Sequence, residues 1–114
     1  MHELSIASAI VETVSDEIRK RNLAAVQTIT VRIGALSGVV PDALQFGYEA
    51  IVSGTPLANT KLEIELVPVQ GRCKACGHEF AIEEFLFACP LCQAGDIEVT
   101  QGEELEIAHL EVGT

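Results

Sequence analysis

All four cysteines of this chain fall into two Cys-x-x-Cys pairs, Cys73/Cys76 and Cys89/Cys92, with twelve residues between the pairs. Each pair can form a knuckle that aims two sulfurs at one point, and two facing knuckles complete a tetrahedral set of four thiolates. Zinc suits that donor set best, with iron second. Gly77, directly after the first pair, and Pro90, inside the second, suit a chain bent tightly round an ion. Four protein sulfurs leave no open position for water or substrate, so the expected site is a structural Zn(II). A rubredoxin-like iron centre is the main rival. Thiol–disulfide redox chemistry fits less well, because it uses a single such motif on a βαβ frame.

The rest of the chain reads as ordinary secondary structure. Leu4, Ala7, Val11, Val14 and Ile18 recur at helical spacing with Ile10 beside them, which predicts an amphipathic helix over 3–21, ended by Asn22. Residues 28–33 alternate, placing Ile29, Val31 and Ile33 on one face of a strand that exits between Gly34 and Gly38. Pro41 opens a second helix with Leu44, Tyr48, Ile51 and Val52 as its inner stripe, stopped by Gly54 and Pro56. A second alternating strand covers 61–66. A third begins near Glu104, but Leu110 and Val112 fall out of phase with Leu105 and Ile107, which calls for a bulge near Ala108-His109 or a strand covered on both faces.

Between the knuckles, residues 79–87 read as a short hairpin, and the cysteine module draws on few apolar residues, Phe80, Ile82, Phe85, Phe87 and Leu91. So small a unit needs its metal to fold. The expected fold class is therefore α+β: two helices packed on a small three-stranded sheet, with an inserted zinc-ribbon-like module of four cysteines. The expected domains are 1–71 plus 102–114 for the body and 72–101 for the module.

Charge removes one function that a zinc ribbon often suggests. The net charge of -10 argues against nucleic acid, since phosphate binding needs a basic footprint. No apolar run approaches the roughly 20 residues of a membrane span. The N-terminus lacks the basic and apolar regions of a signal peptide. Cysteines spaced for metal agree with a reducing cytoplasm and no membrane partner.

The second feature is Met1-His2-Glu3. At a free N-terminus the α-amine, the amide nitrogen of His2 and its imidazole Nδ1 can chelate one ion in fused rings. Such strong-field nitrogens favour square-planar Ni(II) or Cu(II). Glu3 can add a fourth donor, through its amide or its carboxylate. Methionine before a bulky residue escapes trimming, which keeps the amine on Met1. The plainer reading is a helix start carrying a chance histidine and an acid at the positive end of the dipole. Position 6 is Ile, so His2-Glu3 is not half of an HExxH zinc motif. His78 reads as an exposed loop histidine and His109 as a partly buried strand histidine. The chain shows no triad, phosphate loop or paired catalytic carboxylates, so no enzyme is expected.

The chain resembles the HypA/HybF family of hydrogenase-maturation nickel chaperones. The likeness is carried by Met1–Ser5, by Val31–Val39, by Pro41–Phe46, by both cysteine pairs and by Gly102–Ile107. It implies Ni(II) as cargo, held by the residues at Met1, His2 and Glu3, with zinc in Cys73, Cys76, Cys89 and Cys92. It also implies delivery to nickel–iron hydrogenase large-subunit precursors, partnership with a HypB-type maturation GTPase and, in some members, service to urease. An exposed terminus can surrender its ion by ligand exchange. A sheet with exposed edges is open to forming a homodimer. Two other readings stand beside this one: a zinc-ribbon interaction adaptor without nickel transfer, and a rubredoxin-like iron electron carrier.

Overall fold

The computed structural model describes residues 2 to 113. Its elements run in the order α1 (His2–Arg21), β1 (Val26–Gly34), α2 (Pro41–Val52), β2 (Lys61–Val67), β3 (Gln70–Cys73), β4 (Glu79–Ala81), β5 (Ile97–Gln101) and β6 (Leu105–Val112). Two three-stranded sheets result, ordered β2-β1-β6 and β4-β3-β5. The chain divides into two compact units. One gathers the segments up to Arg32, Val39–Glu65 and the chain from Glu106 onward; the other gathers Ile33–Gly38 and Leu66–Leu105.

In the first unit, α1 buries Ala7, Ile10 and Val14. The deepest line therefore runs through Ile10, while Val11 and Ile18 are half-buried and Leu4 is exposed. Arg19, Lys20 and Arg21 occupy the last turn, where cations meet the negative end of the helix dipole. Asn22 adopts the left-handed conformation (φ 50°) and Leu23 N–H donates to Ile18 O at 3.1 Å. That six-to-one bond is a Schellman cap, with Asn standing where glycine is commoner. α2 begins on Pro41 and buries Leu44, Gly47, Tyr48 and Val52.

The central strand β1 turns Ile29, Val31 and Ile33 inward, all at most 1 % exposed. Tyr48, also buried, is the aromatic ring of this aliphatic core; its hydroxyl donates to Thr60 O at 2.9 Å, and Thr60 Oγ1 donates to Val26 O at 2.7 Å. The first bond satisfies the phenol, whose burial opposes its ionisation and pushes its pKa up, and the second satisfies the buried threonine hydroxyl. On β1, Arg32 lies 3.3 Å from Glu65 of β2 and 3.4 Å from Glu106 of β6, linking the three strands by charge.

β6 runs unbroken, with Ile107 and Leu110 half-buried and its other residues exposed, so it is not covered on both faces. His109 is among the exposed residues rather than the partly buried ones. As an outer strand of the β2-β1-β6 order, β6 has a hydrogen-bonding neighbour on one side only.

In the second unit, β3 pairs antiparallel with both β4 and β5, with Gly71 opposite Phe80 on one side and Val99 on the other. The expected hairpin within 79–87 is absent. β4 is only three residues long and lies on β3, because the first knuckle reverses the chain and returns Glu79–Ala81 along Gln70–Arg72. Gly34 and Gly102 meet closely here: a Cβ on Gly34 would lie 2.0 Å from Gly102 O, and Leu36 N–H donates to that same oxygen at 2.7 Å. Only a residue without a side chain fits at position 34. Among the described residues, no helix is long and apolar enough to cross a membrane.

Candidate metal centres

The two knuckles are built alike. Cys73 N–H donates to His78 O (2.9 Å) and Gly77 N–H to Cys73 O (2.8 Å); Cys89 N–H donates to Ala94 O (2.9 Å) and Gln93 N–H to Cys89 O (2.8 Å). Both turns place the residue after their second cysteine at positive φ, Gly77 at 82° and Gln93 at 64°. The same backbone path thus recurs sixteen residues later with a different residue at its tightest point.

This path brings the four sulfurs together. Cys73 Sγ lies 3.5 Å from Cys92 Sγ and Cys76 Sγ lies 3.6 Å from Cys89 Sγ, so each close pair joins one knuckle to the other. All four lie within 4.8 Å of one another. None is in a disulfide; Cys73 and Cys89 are buried, whereas Cys76 and Cys92 are exposed.

Proton affinities diverge across the set. The Cys92 amide holds the Cys89 thiol down to about 6, and the Cys76 amide likewise lowers Cys73. Cys76 is favoured as thiolate by the His78 amide, yet the neighbouring Cys89 sulfur and burial push it up to about 12. Cys92 rises too, against the pull of the Ala94 amide, because of Cys73 and burial. Four negative sulfurs cannot share this volume unless a cation supplies the opposite charge. The residues therefore fit a thiophilic divalent ion.

His78 is not a member of the group. Its ring is half-buried and stacks on Phe80, with centroids 5.8 Å apart and 17° between planes. It lies in the loop just before β4, as expected, but the Phe80 ring covers part of it.

At the other expected site, Met1 lies outside the described residues. His2 is exposed at the start of α1. Glu3 Oε2 accepts from Val40 N–H at 3.3 Å and lies 3.4 Å from His2 Nε2. The Val40 amide, followed by the amide of Glu3 itself and the charge of His2, holds the Glu3 carboxyl below the usual carboxylate range. Val40 precedes α2, so Glu3 ties the beginning of one helix to the beginning of the next. A backbone amide leaves no mark in residue type, so this partner of Glu3 has no signal in the sequence. Among the described residues, the cysteines are the one group of three or more potential side-chain ligands; His2 and Glu3 do not join a third.

A family model described as "Hydrogenase/urease nickel incorporation, metallochaperone, hypA" matches residues 1–112. The chain belongs to the HypA family. A hydrogenase maturation factor HypA of Geobacter metallireducens is 44 % identical over 112 residues, which are 98 % of this chain and 99 % of that protein. The corresponding factor of Desulfitobacterium hafniense strain DCB-2 is 39 % identical, over 98 % of each chain. Of the solved structures, a HypA protein in solution superposes with a TM-score of 0.74 at 23 % identity, covering 99 % of this chain and 97 % of that one. The nickel metallochaperone HypA of Helicobacter pylori gives 0.65 at 22 %, covering 96 % of each. The HypA family is one of nickel metallochaperones for hydrogenase or urease, not of enzymes.

Proposed function

We propose that this chain binds Ni(II) at its N-terminus through Met1, His2 and Glu3 and delivers it to nickel–iron hydrogenase precursors in the cytoplasm. A Zn(II) held by Cys73, Cys76, Cys89 and Cys92 serves structure. In this reading, residues 1–71 and 102–114 form the nickel-binding domain and residues 72–101 the zinc-binding domain. A maturation GTPase and the hydrogenase large-subunit precursor are its partners. Urease is a second client of the same chemistry.

The observation that carries the nickel reading is the placement of His2 and Glu3 in the first turn of α1. The first amides of a helix have no intrahelical acceptor, so their nitrogens are free to lose a proton and bind a strong-field ion. The Glu3 carboxylate is already engaged by Val40 N–H and faces His2 Nε2, which favours Nδ1 of His2 and the amide of Glu3 as donors. A carboxylate on the outer nitrogen orients a metal-binding imidazole. The four thiolates would hold zinc and supply no exchange position, so their contribution is to fix the backbone around them.

Nickel titration of three proteins tests the site: the native chain, His2→Ala, and a form with two extra N-terminal residues. Both altered forms should lose at least tenfold in affinity. Equal affinity in all three would sink the proposal. A protein that purifies red with iron in place of colourless zinc would point instead to electron transfer.

A further inference from the structure

Of the five apolar residues expected to form the core of the cysteine module, Phe85, Phe87 and Leu91 are not inside it, and neither is Leu86. Ile82 is buried, but Phe85 is 61 % exposed, Leu86 69 % and Leu91 69 %, with Phe87 exposed beside them. The backbone that carries them is strained. Leu86 N–H donates to Glu83 O at 3.0 Å, closing a β-turn over 83–86. Its two central residues, Glu84 and Phe85, sit at φ 54° and 57°. Positive φ at both positions defines a type I′ turn, which strongly prefers Asn-Gly. A phenylalanine there holds a large ring in solvent in a conformation that disfavours it.

We infer that Phe85, Leu86, Phe87 and Leu91 form a docking surface for a second protein whose apolar groove is bordered by Lys and Arg. Charge selects the occupant. The second unit holds seven Asp and Glu against two Lys and Arg. Those two cations are engaged, Arg72 with Glu98 at 2.5 Å and Lys74 with Asp96 at 3.9 Å. Glu83 and Glu84, both exposed, lead directly into the apolar run. A second copy of this chain would bring the same acidic rim against itself, and an anionic lipid surface would be repelled. A basic-rimmed groove gains from both the apolar contact and the carboxylates, and strained, exposed apolar positions are characteristic of binding sites.

The test uses the zinc-loaded full chain. Its binding to the two partners proposed above, the maturation GTPase and the large-subunit precursor, is measured separately. The variants are Phe85→Gly, Leu86→Ser with Leu91→Ser, and Glu83→Lys with Glu84→Lys. At least one partner should lose tenfold or more in affinity with every variant, and its binding to the native chain should weaken with salt. Phe85→Gly should keep or raise the melting temperature, because it relieves the turn; a purely structural Phe85 would make this variant less stable. Nickel binding at His2 and zinc content are measured in the same samples and should not change, which separates this surface from the nickel reading on which the choice of partners rests. Affinities within twofold of native for both partners, or no binding of either by the native chain, overturn the inference. So does a loss in the variants of self-association, or of binding to phosphatidylserine vesicles, in place of partner binding.

Discussion

Single residues carry several of the decisive constraints. Gly34 meets the Gly102 carbonyl where a Cβ would lie 2.0 Å from oxygen, so Gly34→Ala must displace backbone. We expect a loss of about 3 kcal/mol or more, read as a lowered urea midpoint. Gln93 occupies the left-handed position that Gly77 fills in the first knuckle. Gln93→Gly should raise stability by about 1 kcal/mol in the same assay, since it removes the steric conflict of a side chain at positive φ. Gly77 was legible as a knuckle glycine, but its counterpart was not: Gln is chemically silent there, and only the shared backbone path identifies it. Glu3 gives a prediction with a definite sign. Its folded pKa lies below the ordinary value of 4.5, so its contact persists at every pH above that value and is lost only as pH falls through the depressed one. Nickel loading that weakens through the range in which histidines protonate therefore does not arise from Glu3. Glu3→Gln should lower nickel affinity while leaving the midpoint of that acid loss in place, as followed by nickel titration across pH.

At the scale of elements, the helices and the larger sheet were readable because each carries a period. α1 ends at Arg21 with Asn22 as its cap, α2 starts on Pro41, and β1 presents Ile29, Val31 and Ile33 inward, all as spacing and capping chemistry predict. The module between the knuckles was less readable. Its strands are three to five residues long, too short for alternation to establish pairing, and β4 finds its partner in β3 because the knuckle reverses the chain. Pairing is thus a consequence of the cysteine turn. Removing the ion tests that dependence. With a zinc chelator added, the amides of Cys73 and Cys89 should lose hydrogen-exchange protection along with β3, β4 and β5, while those of α1 and α2 should keep theirs. Protection lost equally throughout would mean that the first unit does not hold its own fold.

For the whole molecule, residue types and their spacing determined the metal-binding class, the α+β architecture and the acidic character that disfavours nucleic acid. Those properties depend on local chemistry: a donor set, a period and a sum of charges. What only the tertiary structure decided is which groups meet and which are left out. It brought Val40 N–H to Glu3, Phe80 to His78 and the sulfurs of one knuckle to those of the other. It also turned Phe85, Leu86 and Leu91 outward, although their hydrophobicity reads as core. Backbone amides and turn conformations have no letter in the sequence, and burial depends on what the rest of the chain leaves uncovered. For that reason the four cysteines could announce a metal site on their own, while the surface displayed beside them became visible only in the folded chain.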